Sequence, residues 1–131
     1  LESLKKVIAD NPGQIACVIT EPERFVGLPS PTYLQDLQKI CRENGVLLIL
    51  DEMITGFKVD FPGAITKYGI VPDMATWGKG IANGFSFCAL TGKKEIMELG
   101  GIQREGADKL FLVSTTHGGE TTSIAACLAT I

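Results

Sequence analysis

The sequence has no excess of positive charge: 12 lysines and arginines stand against 15 aspartates and glutamates in 131 residues, for a net charge of −3. A chain without a basic surface is a poor partner for the phosphate backbones of nucleic acids. No apolar run approaches the roughly 20 residues that a membrane-spanning helix needs, and no charged segment leads into an apolar one. These absences predict a cytoplasmic protein that binds neither nucleic acid nor membrane.

Histidine is almost absent, and the cysteines are badly spaced for metal binding. His117 is the single histidine and has no Asp or Ser arrangement near it in the sequence. The sequence therefore predicts no metal site and no hydrolytic triad. The four cysteines lie far apart among aliphatic residues and lack Cys-x-x-Cys spacing, so we interpret them as reduced, small apolar side chains. They are Cys17, Cys41, Cys88 and Cys127.

The first half of the sequence shows a strand, a helix and a second strand. Residues 15–20 form a short β-branched run, residues 32–44 carry a helical apolar stripe, and residues 46–50 are apolar on both faces. Such a doubly apolar strand is typical of a parallel sheet that helices cover on both sides. We expect Ser30 to cap the helix and Gly45 to end it in a left-handed conformation.

The second half continues the alternation. It predicts short strands at 74–78 and 85–92, a helix at 93–99 and a surface loop at 100–111. The predicted fold class is therefore α/β, with a mostly parallel sheet flanked by helices. Because both ends of the sequence have helical patterns that do not stop, we expect the chain to be the central segment of a longer protein.

Two carboxylates, Asp51 and Glu52, directly follow the apolar run at 46–50. Ligands of open α/β sheets bind at the carboxyl ends of strands, so this position is a candidate site. Three interpretations remain. Asp51 caps a following turn or helix, the pair binds magnesium in a nucleotide-binding domain, or a carboxylate faces a cationic ring nitrogen. The second interpretation requires a G-x-x-x-x-G-K-[ST] loop, which the segments WGKGIANG and TGKKE do not match.

Lys79 is the second candidate residue. It directly follows the predicted strand at 74–78 and lies between Gly78 and Gly80. A solvated lysine in a glycine-rich turn is one explanation, but a lysine whose amine must approach a planar cofactor also gains from a bare backbone. Since Asp51 and Lys79 both follow strands, we expect their opposite charges to meet in one crevice of the sheet.

Several motifs, in this order and spacing, resemble the central part of class III aminotransferases, which are pyridoxal-phosphate enzymes of fold type I. The motifs are EP at 21–22, LLILDEMITGFKV, YGIVPDMATWGKGIANG, GKKEIM and STTHGGETTSIAA. Within the class, DEMITGFKV and GKKEIM are most similar to the glutamate-1-semialdehyde 2,1-aminomutase branch. The resemblance covers nearly the whole chain. It implies that residues 1–131 are part of the cofactor-binding large domain, with an upstream segment and a small C-terminal domain outside this chain.

The resemblance also implies roles for four residues. Lys79 would form a Schiff base with pyridoxal phosphate and then move a proton on the substrate. Asp51 would pair with the pyridine nitrogen and keep it protonated. Met53 would pack on the cofactor ring, or serve as ordinary core filling. Thr116 would reach the cofactor phosphate of the neighbouring subunit, so the family pattern implies at least a homodimer.

Other positions limit what the resemblance implies. Glu52 receives no catalytic role, because it either supports the site through hydrogen bonds or turns away from it. We interpret His117 as steric or hydrogen-bonding support. Residues 82–86 and the loop after Pro22 differ from the family pattern near the substrate, so the substrate is either like glutamate-1-semialdehyde or another small aldehyde or ketone. The alternative is that the isolated chain is a catalytically incomplete fragment of such an enzyme.

Overall fold

A four-stranded sheet with the order β1-β2-β3-β4 organises the chain. The computed structural model describes residues 1–23, 27–110 and 116–131. The strands are β1 (Cys17–Thr20), β2 (Leu47–Asp51), β3 (Met74–Trp77) and β4 (Ala89–Gly92). The first three strands are parallel, and β4 pairs with β3 in the antiparallel direction. The predicted α/β class with a mostly parallel sheet is therefore confirmed.

Five α-helices accompany the sheet in the described ranges. They are α1 (Glu2–Asp10), α2 (Tyr33–Glu43), α3 (Ala64–Tyr68), α4 (Lys94–Met97) and α5 (Thr121–Thr130). Short 3-10 helices follow at Lys79–Ile81 and Glu98–Gly100. None of the described helices is long and apolar enough to cross a membrane.

The helix boundaries confirm one terminal prediction and correct another. Gly45, just after α2, has a φ of +66°, as expected of a left-handed helix stop. The cap assignment to Ser30 is wrong, because α2 begins only at Tyr33 and Thr32 occupies the cap position. The carbonyl of Ser30 instead accepts a hydrogen bond from the Tyr33 amide at 3.2 Å, which closes a turn before the helix.

Strand β4 is shorter than predicted. The expected strand at 85–92 begins only at Ala89, which pairs with Trp77, the last residue of β3. Because the chain leaves the sheet after Trp77, residues 85–88 have no neighbouring strand to pair with. The indole nitrogen of Trp77 donates a hydrogen bond to the hydroxyl of Thr91 at 2.8 Å, and this contact fixes the two strands side by side.

The two faces of the sheet differ in burial. One face is buried against α2, where Leu34 packs with Leu50 and Leu37 packs with Leu48. Its residues in β2 and β3 are Leu48, Leu50, Ala75 and Trp77. The opposite face is only half-buried, and Ile19 on it is 59% exposed. By register this more open face carries Asp51 and Thr76, so the candidate site lies on the side of the sheet away from α2.

The cysteines match their predicted role only in part. All four are free thiols, and Cys41 and Cys127 are buried as small apolar side chains. Burial raises the pKa of the Cys41 thiol. Cys17 and Cys88 are exposed, because Cys17 projects from the open sheet face and Cys88 precedes β4 in the unpaired stretch.

Asp73 joins the amino ends of β2 and β3, a role that the sequence pattern did not reveal. Its Oδ2 accepts a hydrogen bond from the Leu48 amide at 2.7 Å, and its Oδ1 lies 2.6 Å from Nζ of Lys93. Burial alone would raise the pKa of the Asp73 carboxyl. The bonds from Lys93 and Leu48 outweigh that effect and hold the pKa below its usual value.

Candidate active site

Asp51 is the last residue of β2, and its carboxylate is held in a fixed orientation. Oδ1 accepts hydrogen bonds from the Met53 amide at 3.0 Å and from the Thr76 hydroxyl of β3 at 3.2 Å. In the described part of the chain no hydrogen bond reaches Oδ2. The bond to Met53 is the turn-capping interaction that the sequence left open, but it occupies one oxygen only. The half-buried carboxylate can therefore present its other oxygen to a ligand.

Lys79 lies two residues beyond the end of the neighbouring strand β3. It opens the short 3-10 helix Lys79–Ile81 and is exposed. Its φ is +49°, a left-handed conformation that costs a side-chain-bearing residue about 1–2 kcal/mol. Such strain concentrates at functional sites, where the surrounding structure maintains it. The sequence could not reveal this conformation, because lysine has no preference for it.

Gly78, directly before Lys79, has a specific steric reason to be glycine. A Cβ at Gly78 would lie 2.3 Å from Cε and 2.7 Å from Sδ of Met53, so the thioether side chain rests directly on this glycine. Gly80 faces the loop after β2, with Cε of Lys58 at 3.5 Å from a Cβ built there. The structure thus brings Met53 to the backbone beside Lys79, at the edge of the sheet where β2 delivers Asp51.

Glu52 is the residue whose role the sequence left undecided, and the structure decides it. Its side chain is fully buried. It accepts hydrogen bonds from the Thr55 hydroxyl and from the amides of Ala64 and Ile65, the latter two at 3.1 and 2.8 Å. Of the two interpretations left open, the structure therefore agrees with the one in which Glu52 is hydrogen-bonded. Because these donors engage its carboxylate inside the fold, Glu52 does not pair with Asp51 as an exposed magnesium-binding edge.

Thr116 has no hydrogen bond to Asp51, Met53 or Lys79 among the described residues. It is exposed in the turn that precedes α5. The neighbouring hydroxyls of residues 114 and 115 lie outside the described ranges. His117 Nδ1 lies 2.8 Å from Oε1 of Glu120, and both side chains are exposed. This pair is compatible with the hydrogen-bonding role expected of His117.

Two surface grooves do not include the candidate residues Asp51, Met53 or Lys79. The grooves have volumes of about 450 and 410 Å³, and one lies between α1 and the end of α2 and the other at residues 98–104. No group of three His, Cys, Asp or Glu side chains with metal-binding geometry occurs in the ranges that the structure describes. Asp51 at the end of β2 and Lys79 just after the adjacent β3 are therefore the groups on which the candidate site is built.

The sequence model of the family described as aminotransferase class-III matches residues 1–131. The chain belongs to this family. It is 47% identical over 127 residues to the glutamate-1-semialdehyde 2,1-aminomutase of Methanococcus maripaludis, covering 92% of this chain and 30% of that protein. The resemblance seen in the sequence motifs, to the class and to that branch, is thereby confirmed.

Solved structures agree with this assignment. An omega-transaminase from Sphaerobacter thermophilus superposes with a TM-score of 0.84 at 26% identity, covering 98% of this chain and 30% of that one. A transaminase with PLP bound gives the same TM-score, identity and coverage. The chain thus has the fold of the PLP-dependent transaminases, and it spans about 30% of the length of the relatives it matches.

Proposed function

We propose that this chain is part of the cofactor-binding large domain of a pyridoxal-phosphate-dependent aminotransferase or aminomutase. The observation that carries the proposal is the placement of Asp51 and Lys79 at the carboxyl ends of the adjacent parallel strands β2 and β3. Ligands of parallel sheets bind at this edge. A carboxylate and an amine at one edge of a sheet are the two groups that this cofactor requires from the protein.

The donor set fits pyridoxal phosphate. When bound, the cofactor supplies an aldehyde that bonds an amine and a ring that takes up electrons from the substrate. Asp51 would hold a proton on the ring nitrogen through Oδ2, because Met53 and Thr76 orient the carboxylate through Oδ1. Lys79 Nζ would bond the aldehyde carbon and later act as the base that moves the substrate proton. Met53, beside Gly78, would pack against the ring.

We further propose a small aldehyde or ketone as amino acceptor, of the glutamate-1-semialdehyde kind or related to it. The relatives named as aminomutases support the first choice. The departure from the family pattern at 82–86 supports a different substrate, because the resemblance places this stretch near the substrate. The enzyme would act in the cytoplasm. Because the chain spans about 30% of its relatives, catalysis is assigned to the full-length protein, and the isolated chain would be catalytically incomplete.

Borohydride reduction of the full-length protein with pyridoxal phosphate tests the cofactor assignment. We expect an absorbance band near the visible edge that disappears on reduction, because hydride converts the C=N bond to a secondary amine. Peptide mapping should then find a stable pyridoxyl label on Lys79. Lys58 provides the internal control, because its side chain lies against Gly80 but its backbone does not end a strand. A label on Lys58, Lys93 or Lys94 in place of Lys79 would refute the assignment.

A homodimer is also proposed, with Thr116 binding the cofactor phosphate of the neighbouring subunit. Backbone amides and hydroxyls before a helix favour phosphate, and the exposed Thr116 precedes α5. We expect Thr116→Ala and Lys79→Ala proteins, each inactive or weak alone, to regain activity when mixed, since mixed dimers contain one intact site. Full activity of a monomer at high dilution would contradict the shared site.

A further inference from the structure

The loop after β2, residues 53–63, lies against the segment that contains Lys79. Gly56 within it packs on Trp77, since a Cβ at Gly56 would lie 2.8 Å from the indole Cε3. Met53 rests on Gly78, and Lys58 lies against Gly80. This loop therefore contacts the residues on both sides of Lys79. The conformation of the loop therefore sets the positions of Met53 and Lys58 relative to Lys79.

One carboxylate joins the two ends of this loop. Glu52 immediately precedes the loop, and its side chain accepts the amides of Ala64 and Ile65, which immediately follow it. The Thr55 hydroxyl donates to the same carboxylate from inside the loop. The backbone of Glu52 is also engaged, because its amide donates to the Thr76 carbonyl at 2.9 Å and its carbonyl accepts the Gly56 amide at 2.8 Å.

Because Glu52 is fully buried, its carboxylate depends on these hydrogen bonds. A carboxylate removed from water is tolerated only when hydrogen bonds replace its hydration, and here three donors do so without an ion pair from any described residue. Gly63 leaves the necessary room, because a Cβ there would lie 2.7 Å from Oε2 of Glu52. The end of the loop is therefore packed and hydrogen-bonded closely around this carboxylate.

We propose that Glu52 is a positioning residue whose buried carboxylate closes loop 53–63 and thereby holds Met53 and Lys58 against the glycines that flank Lys79. The proposal rests on the proposed function, since it matters for catalysis only if Lys79 binds the cofactor. Glu52 itself does not touch the reacting atoms. Its effect passes through the loop, and through the backbone bond that keeps the ends of β2 and β3 together.

The test compares two perturbations of the closure in the full-length protein with a matched control. Glu52→Gln keeps the side-chain shape but replaces one acceptor oxygen by an NH2 donor, which then faces a donor. Gly63→Ala removes no hydrogen-bonding group but displaces the Glu52 carboxylate sterically. The φ of residue 63, 175°, is extended backbone that alanine also adopts. Asp73→Asn is the control, because Asp73 links the same two strands at their opposite ends.

The first readout is hydrogen exchange in the protein without cofactor. We expect faster exchange of the amides in 53–63 in both Glu52→Gln and Gly63→Ala, and unchanged exchange there in Asp73→Asn. The second readout is the affinity for pyridoxal phosphate. We expect it to fall by about 10- to 100-fold in the two closure variants, the size of effect found when residues that support the ligands of a metal site through hydrogen bonds are altered. The control should keep its affinity.

These readouts separate the two proposals. If wild type binds no pyridoxal phosphate, the proposed function fails, while the exchange experiment still decides whether Glu52 closes the loop. Unchanged exchange in 53–63 in both closure variants would overturn the positioning role. Wild-type cofactor affinity in both, or an equal loss in Asp73→Asn, would also overturn it and leave Glu52 with a general stabilising role. Should Glu52→Gln fail to fold, Gly63→Ala alone decides the question.

Discussion

Replacing Lys79 with glycine should abolish turnover and at the same time stabilise the protein relative to the alanine variant. Both substitutions remove the amine that would bond the cofactor, so activity should fall by a factor on the order of 10⁴ or more. Lys79 has a φ of +49°, where glycine is unstrained and alanine is not. We therefore expect the Lys79→Gly protein without cofactor to be more stable than Lys79→Ala by about 1 kcal/mol.

Chemical denaturation of the two variants measures their difference in stability, and steady-state kinetics measures their turnover. Asn83→Gly is the matched control for the effect of backbone conformation on stability. Asn83 also has a positive φ, of 34°, and is exposed. It should gain less stability than Lys79→Gly gains over Lys79→Ala, since asparagine tolerates this region better than alanine. Equal stability of the two Lys79 variants would show that the left-handed conformation is not maintained, and substantial turnover in either would remove Lys79 from the mechanism.

Local patterns predicted the framework of this fold because they reflect burial directly. The helical stripe of α2 and the strand β2 appear where expected, because they follow from which side chains must leave water. Only one of the two apolar faces of β2 is buried in this chain, however. The placement of Asp51 and Lys79 at strand ends follows from the same reasoning. In a parallel sheet the carboxyl ends of neighbouring strands meet at one edge, so two strand boundaries suffice to bring these segments to it.

Features that depend on distant contacts could not be predicted in this way. The role of Glu52 requires the amides of Ala64 and Ile65, 12 and 13 residues further along the chain. Gly63 is needed because of the Glu52 carboxylate, and Gly78 because of the Met53 thioether. In the sequence these two glycines cannot be distinguished from glycines that are needed for an ordinary turn. The cap at Ser30 was misplaced for a related reason, since its carbonyl and not its hydroxyl serves the turn before α2.

The Asp51→Asn variant should keep its fold and lose most of its activity. The amide oxygen of asparagine can accept both bonds that Oδ1 of Asp51 now accepts, from the Met53 amide and the Thr76 hydroxyl. Local structure at the end of β2 should therefore persist, and thermal unfolding should shift little. The amide nitrogen, in contrast, replaces the oxygen that would hold a proton on the cofactor ring.

The expected loss follows from this change of charge. Without a carboxylate the ring nitrogen is no longer held protonated, so we expect turnover to fall by roughly 10²- to 10⁴-fold, the range found when an electrostatic partner of a reacting group is neutralised. Asp51→Glu keeps the charge and should retain more activity than Asp51→Asn. Thr76→Val removes one orienting bond but not the charge, so its loss should be smaller than that of Asp51→Asn. Equal kcat values for wild type and Asp51→Asn would eliminate the role of Asp51 as the counter-ion of the ring nitrogen.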